Sequence, residues 1–265
     1  SAMAEPVMVA DRSAGRSARR SVWAGLLQDR LLWVLALLLA LSYGLPHLHA
    51  VMAALFPAQQ RPVYLQEPLA TLLWQHIALV LVSSAAATLL GSAAGVAVSR
   101  RAGQAFRPML ESIATTGQTL PPIAVLALAV PMVGFGELPA LIALALYGLL
   151  PVLQATLAGL AGVPQAVLES ARAMGLSARQ VLWQVEVPLA LPVWLAGVRS
   201  SVIINIGTAA IASTVGAKTL GSPIIVGLSG FNTAYVLQGA VLVGLLAVAT
   251  DMAFERLAQR LAWQV

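Results

Sequence analysis

The sequence predicts an all-α, polytopic membrane protein with about six transmembrane helices, and three observations carry the prediction. Of its 265 residues 59% are hydrophobic and only 9% charged, whereas soluble domains carry about 25% charged residues; a water-facing surface cannot be built from this inventory. Long stretches without Asp, Glu, Lys or Arg recur along the chain, each able to supply the roughly 20 apolar residues that cross a hydrocarbon core. The arginines gather between alternate stretches, the bias of loops held on one side of a bilayer. That topology, rather than nucleic acid, explains the formal charge of +5. No cysteine occurs, which excludes disulfides, thiolate metal sites and a thiol nucleophile.

In chain order, Ser1-Ala2 ahead of Met3 reads as a cloning remnant. Residues 1–28 read as a cytoplasmic tail carrying Arg12, Arg16, Arg19 and Arg20, and residues 29–265 as the transmembrane domain. A basic start before Leu31–Leu41 also suits a signal peptide. The apolar run, however, continues past Pro46 without a small-x-small cleavage site, which favours a retained helix. The charge-free stretches are Leu31–Gln60, Pro68–Ser99, Ser112–Gly136, Leu138–Leu168 and Thr219–Thr250; one more span, near Pro192–Ala217, is interrupted by Arg199 alone. Pro121-Pro122 break the third span, and broken backbone is tolerated at membrane depth only inside protein or along a cavity, which favours a central place for it. With the N-terminus inside, twelve of the 15 basic residues are cytoplasmic and only Arg61 and Lys218 face outward, Arg199 being set aside. The predicted topology is N-in, C-in.

Between the fourth and fifth spans, Gly162–Leu191 carries Glu169, Arg172, Arg179 and Glu186. Each such charge costs about 2.5–3.5 kcal/mol at the bilayer centre, so residues 162–191 are predicted to form a cytoplasmic loop. The loop is patterned as two short helices. Pro164 suits a first helical turn, Val167, Ala171 and Met174 share one face, and Gly175 supplies a stop. Ser177 with Gln180 forms a capping-box pattern, opening a second helix that presents Val181, Leu182 and Val185 and stops before Pro188. Lipid, the chain's own spans or a partner protein would each cover these apolar faces, and patterning alone leaves the three open.

Glu169-Ser170-Ala171, three residues, Gly175, nine residues, then Val185-Glu186-Val187-Pro188 resembles the EAA loop of permease subunits of ABC-type importers. The departures are Ser170 for alanine and valine for the two larger aliphatics. The resemblance implies a type I importer permease fold in which this loop is a coupling helix seated in a groove of an ATPase subunit. Glu169, Ser170, Ala171, Arg172, Met174 and Gly175 would then form the docking surface, with Ser177, Pro188 and Pro192 as its framework. From about Thr71 onward the chain resembles permeases for glycine betaine, choline, carnitine and related osmoprotectants. Gln118-Thr119-Leu120-Pro121-Pro122, Leu146-Tyr147-Gly148-Leu149-Leu150-Pro151, Asn205-Ile206-Gly207-Thr208 and Ala196-Gly197-Val198-Arg199 carry that likeness. Gln154-Ala155-Thr156, where such permeases carry Arg-Asn-Thr, and Ala217-Lys218-Thr219, in place of glycine-rich sequence, depart from it.

The chain offers no chemistry of its own. Its single lysine, Lys218, lacks the glycines of a phosphate loop, since positions 212 and 217 are alanine. ATP and magnesium are therefore expected on a partner ATPase, with no cofactor and no metal here. His47, His49 and His76 have neither cysteine nor carboxylate neighbours in sequence, and read as interfacial histidines at span ends rather than metal ligands. Gln118, Thr119, Asn205, Thr208 and Asn232 are candidates to line a pathway, although such residues more often bond neighbouring helices. Arg199 is the one charge well inside a span, a functional candidate by default, with snorkelling or a pair with Asp251 or Glu255 as the alternative. Gly91-Ser-Ala-Ala-Gly95 reads as a helix-packing motif.

The resemblance thus implies a non-enzymatic permease working with ATPase subunits, a second permease (the same chain or a paralogue), a binding protein outside the membrane and the lipid bilayer, but no nucleic acid. Because the sequence ends soon after the sixth span, that binding protein is expected to be a separate chain. Another solute, such as methionine or an ergothioneine-like betaine, is the nearest alternative. An ion-coupled secondary transporter is less favoured, because it would place acidic groups at mid-membrane, whereas Glu111, Glu137, Asp251 and Glu255 fall near span ends.

Overall fold

The computed structural model describes residues 29–262. The tail with Arg12, Arg16, Arg19 and Arg20 lies outside the described residues. Helix α1 (Arg30–Gly44) opens at Asp29, whose carboxylate accepts from the backbone N–H groups of Leu31 and Leu32, two of the donors that a helix start leaves unpaired. A 3-10 turn over Leu45–His47 ends it, and α2 (His49–Leu55) follows. The first span is thus Arg30–His47, shorter than the predicted Leu31–Gln60.

The centre of the bundle is three helices: α3 (Leu69–Ser99), α6 (Glu137–Ala161) and α9 (Val187–Ala209). Missing side chains bring them together. A Cβ on Gly91 would lie 3.0 Å from the Leu149 carbonyl oxygen, and one on Gly95 only 2.7 Å from Thr156 Cγ2. The predicted packing role of the Gly91–Gly95 pair is the observed one. Gly95→Leu is expected to separate α3 from α6, read as loss of folded protein in detergent; forcing methylenes into a tight contact costs about 1–3 kcal/mol or more.

The third charge-free stretch is not one helix. α4 (Arg107–Thr119) and α5 (Pro122–Val133) meet at a bend of 100°, so Ser112–Gly136 is replaced by a bent pair. Neither Pro121 nor Pro122 has an N–H to continue the ladder, and each pushes the residue before it to extended backbone; Leu120 sits at φ −71°, ψ 136°. Both arms lie against α6, and Leu128, Met132 and Phe135 stand exposed. Within one chain the pair is peripheral rather than central. With it counted as one crossing, six spans are available among the described residues, and five without it.

After α6 come α7 (Gln165–Ala173) and α8 (Ala178–Val181), then a π-turn over Leu182–Glu186 that runs directly into α9. The second loop helix therefore does not stop before Pro188. The widened π-turn accommodates that proline: it lies in the first turn of α9, where a missing N–H and a bulky ring are tolerated. Ala178–Ala209 is one helical rod of 32 residues.

At the end away from this loop the last span also shifts. Residues 219–232 fold as α10 (Ser222–Ser229) and a turn, and the long α11 runs Thr233–Ala262, not Thr219–Thr250. Buried Gln238 fastens the loop after α2 to α11: its Nε2 donates to Pro62 O at 2.7 Å and its Oε1 accepts from Tyr64 N at 3.2 Å. Tyr64 and Tyr235 meet edge to face, 5.4 Å apart. His76 is not interfacial. It is fully buried in α3, accepting from Leu220 N at Nδ1, which leaves Nε2 to donate to Ile206 O at 3.1 Å. The ring thus joins three segments as a neutral imidazole whose tautomer the backbone dictates.

Candidate functional site

The loop between α6 and α8 folds around a small core of its own. Val163, Leu168, Ala171 and Val181 are buried together, with Leu176 and Val185 against them. Gly175 makes this possible. At φ +85° it donates to Arg172 O, while Leu176 N–H reaches back to Ala171 O; the two bonds form a Schellman C-cap, the left-handed end that glycine permits without a Cβ penalty. The next helix opens with the predicted capping box: Ser177 Oγ accepts from Gln180 N, and Gln180 Oε1 accepts from Ser177 N at 2.8 Å. The two stops hold α7 and α8 in one folded knob.

On this knob Glu169, Ser170, Arg172, Met174 and Gly175 are on the exposed surface. Ala171 is in the core, which sequence periodicity missed by grouping it with Val167 and Met174. Those two stay exposed, Met174 at 74%, so the covered stripe is Leu168–Ala171. Ser170 Oγ donates to Ala166 O, and Glu169 accepts from Gln165 Nε2 at 3.3 Å. No atom lies within 4 Å of a Cβ built on Gly175. The exposed patch therefore combines a carboxylate, a guanidinium, a methionine and bare backbone, a surface suited to receiving a groove. Of the framework residues, Ser177 caps, Pro188 starts α9, and Pro192 is exposed inside it.

An ion pair that sequence reasoning missed joins the knob to the bundle. Arg100, just past α3, donates from Nη1 to Glu186 Oε1 at 3.2 Å and from Nη2 to Glu186 Oε2 at 2.5 Å. Glu186 is 6% exposed and stands in the π-turn. Its signal was present: an acidic residue at the variable place of Val185-Glu186-Val187-Pro188, with no neighbour in sequence to pair it. Two further ion pairs tie other helices together. Arg199 donates to Asp251 at 2.6 Å, so the intramembrane arginine takes one of the two partners named for it, and α9 is tied to α11. Asp29 binds the Arg256 guanidinium through both oxygens, tying α1 to the end of α11.

The hydrogen bonds from Arg256 hold the Asp29 carboxyl below the ordinary carboxylate value, against a smaller upward push from desolvation. A depressed folded pKa gives stability that is present above the unfolded value of 3.8 and lost as pH falls through the folded one. The difference in melting temperature between the native chain and Asp29→Asn is expected to stay flat from about pH 8 to about pH 5 and to vanish only in stronger acid.

Three of the pathway candidates are hydrogen-bonded to other segments of the chain. Gln118 Nε2 donates to Tyr147 O at 2.7 Å, and the Tyr147 hydroxyl returns to Leu120 O, locking the bend to α6. Asn205, fully buried, donates to Ser84 Oγ at 2.9 Å, with its Oδ1 left without a partner. Asn232 caps α11 through Tyr235 N and donates to Arg61 O. Thr119 is exposed and Thr208 half-buried. The structure does not gather these residues into one cluster.

Comparison with known proteins gives a consistent answer. Residues 87–263 match the family model described as binding-protein-dependent transport system inner membrane component. The chain is 37% identical over 188 residues to the osmoprotectant import permease protein OsmY of Salmonella typhimurium, covering 71% of this chain and 80% of that one. It is 42% identical over 134 residues to the glycine betaine/carnitine/choline transport system permease protein OpuCB of Bacillus subtilis, covering 51% of this chain and 62% of that relative. In fold it is similar to the MetNI methionine ABC transporter solved in inward-facing conformations, with a TM-score of 0.65 and 24% identity over 74% of this chain and 99% of that one. Together with the all-helical bundle of long apolar helices, these matches place the chain in a known group: it belongs to the family of inner-membrane permease components of binding-protein-dependent transport systems.

Proposed function

We propose that this chain is the permease of an ATP-driven importer for a small osmoprotectant such as glycine betaine, choline or carnitine. Both termini and the knob lie in the cytoplasm. ATPase subunits that bind ATP and magnesium dock on the knob at Glu169, Arg172, Met174 and Gly175; a second permease completes the passage, and an extracytoplasmic binding protein delivers the solute. The observation that carries the reading is the knob itself. A loop between membrane spans has no need of a core, a Schellman cap and a capping box unless its exposed face must be presented in one shape. The positive-inside bias supports the orientation, and the names of the relatives support the solute class.

Reconstitution tests it. The chain is placed in liposomes with its ATPase and binding protein, and uptake of betaine, choline and carnitine is measured with and without ATP. Uptake of one or more of them only with ATP and binding protein is expected; uptake that persists without ATP, or ATP-driven uptake of methionine alone, would overturn it.

A further inference from the structure

Helix α4 presents two chemically different exposed flanks. Leu110, Ala114 and Gly117 turn toward the protein, Gly117 against Leu146. Of the two exposed flanks, one is apolar, with Met109 and Ile113. The other is polar at spacings of three and four residues, with Glu111, Ser112, Thr115 and Thr119, while Thr116, two turns on from Met109, stands at the border between the flanks. Such residues lie on adjoining turns of one face. Pro108, Glu111, Ser112, Thr115 and Thr116, all of this one helix, line a shallow, open depression over the polar flank.

A hydroxyl-lined face within a membrane segment has no reason to face acyl chains, which offer hydroxyl oxygens nothing to accept from. The polar flank also carries no free charge, because Arg107 Nε donates to Glu111 Oε1 at 2.9 Å. Thr115 and Thr119 donate their hydroxyl protons to Glu111 O and Thr116 O, so what they present outward is oxygen lone pairs. Beyond the bend the chemistry changes at once: Pro122–Val133 has no hydroxyl and no charge.

We propose that this flank of α4 is the wetted wall of the solute passage on its cytoplasmic side, and that the bend at Leu120-Pro121 is where the wall gives way to an apolar collar. This rests on the importer reading above. The wall suits a small zwitterion: weak acceptor contacts without an unpaired charge let a solute pass without trapping it, and an apolar constriction holds back water when no solute fills it.

The absence of cysteine makes a direct test available. Single variants Ser112→Cys and Thr115→Cys on the polar flank, Ile113→Cys on the apolar flank and Leu128→Cys beyond the bend are each assembled with the ATPase in inside-out vesicles. Each is treated with a membrane-impermeant, trimethylammonium-bearing thiosulfonate, with reaction in denaturant giving the total thiol. Ser112→Cys and Thr115→Cys are expected to react about tenfold faster than Ile113→Cys and Leu128→Cys, because a thiol in apolar surroundings is held protonated and inert. Equal rates at all four positions would overturn the proposal. So would a disulfide between two copies at position 115 in place of reaction, since the flank would then be an interface between permeases. The importer reading fails separately, if the native chain takes up no solute with ATP whatever the thiol pattern.

Discussion

Gly175→Val is expected to abolish ATP-driven uptake while leaving membrane insertion intact. The glycine sits at φ +85° with open space where a side chain would project, so the loss comes from backbone strain and from the obstructed surface, not from a clash inside the chain. A left-handed residue with a Cβ costs about 1–2 kcal/mol, more when β-branched, and the knob has only a small core to oppose that. Since about 1.4 kcal/mol is a factor of ten in an equilibrium, a loss of about tenfold or more in ATPase retained on the purified permease is expected. Gly175→Asn separates strain from obstruction: asparagine tolerates this conformation, so it should keep the knob folded, shown by protease resistance of the loop, and lose only part of the association. Wild-type uptake and ATPase retention in Gly175→Val would sink the docking assignment.

Arg100→Ala is expected to have the second large effect. It leaves the carboxylate of Glu186 nearly buried and unpaired, and removing one partner of a buried pair costs about 3–5 kcal/mol, less here because the Arg100 side chain is 37% exposed. A lower melting temperature in detergent is one expected result. The other is uncoupling, with ATP hydrolysed by the bound ATPase but little solute moved, because this pair is the direct link from the π-turn to α3. Glu186→Gln should be milder, since an amide still accepts from Arg100. An Arg100→Ala variant that melts and transports like the native chain would show the pair to be dispensable.

The sequence made the spans and the knob legible because both are written locally. Charge-free length marks a crossing, and Gly175, Ser177 and Gln180 mark stops and starts by their own conformational needs. The bend at Pro121-Pro122 was legible as a break, though not as one of 100° at the edge of a single chain, because direction depends on what α4 and α5 lean against. The errors in the bounds of the first and last spans share one cause. Hydrophobicity does not distinguish a crossing from a short helix returning to the same surface, so residues 219–232 merged with α11 and α2 with α1. Pairings distant in sequence were the least visible: Arg100 with Glu186, and His76 with Ile206 and Leu220, exist only once helices are placed.

The unbroken course from α8 through the π-turn into α9 has a mechanical consequence. With the Arg100–Glu186 contact as fulcrum, the arm from Ala178 to Glu186 is about 12 Å long and the arm from Glu186 to Ala209 about 35 Å, at about 1.5 Å per residue. A nudge of about 1 Å at the short arm swings the deep end by about 3 Å by leverage alone, if the rod stays straight.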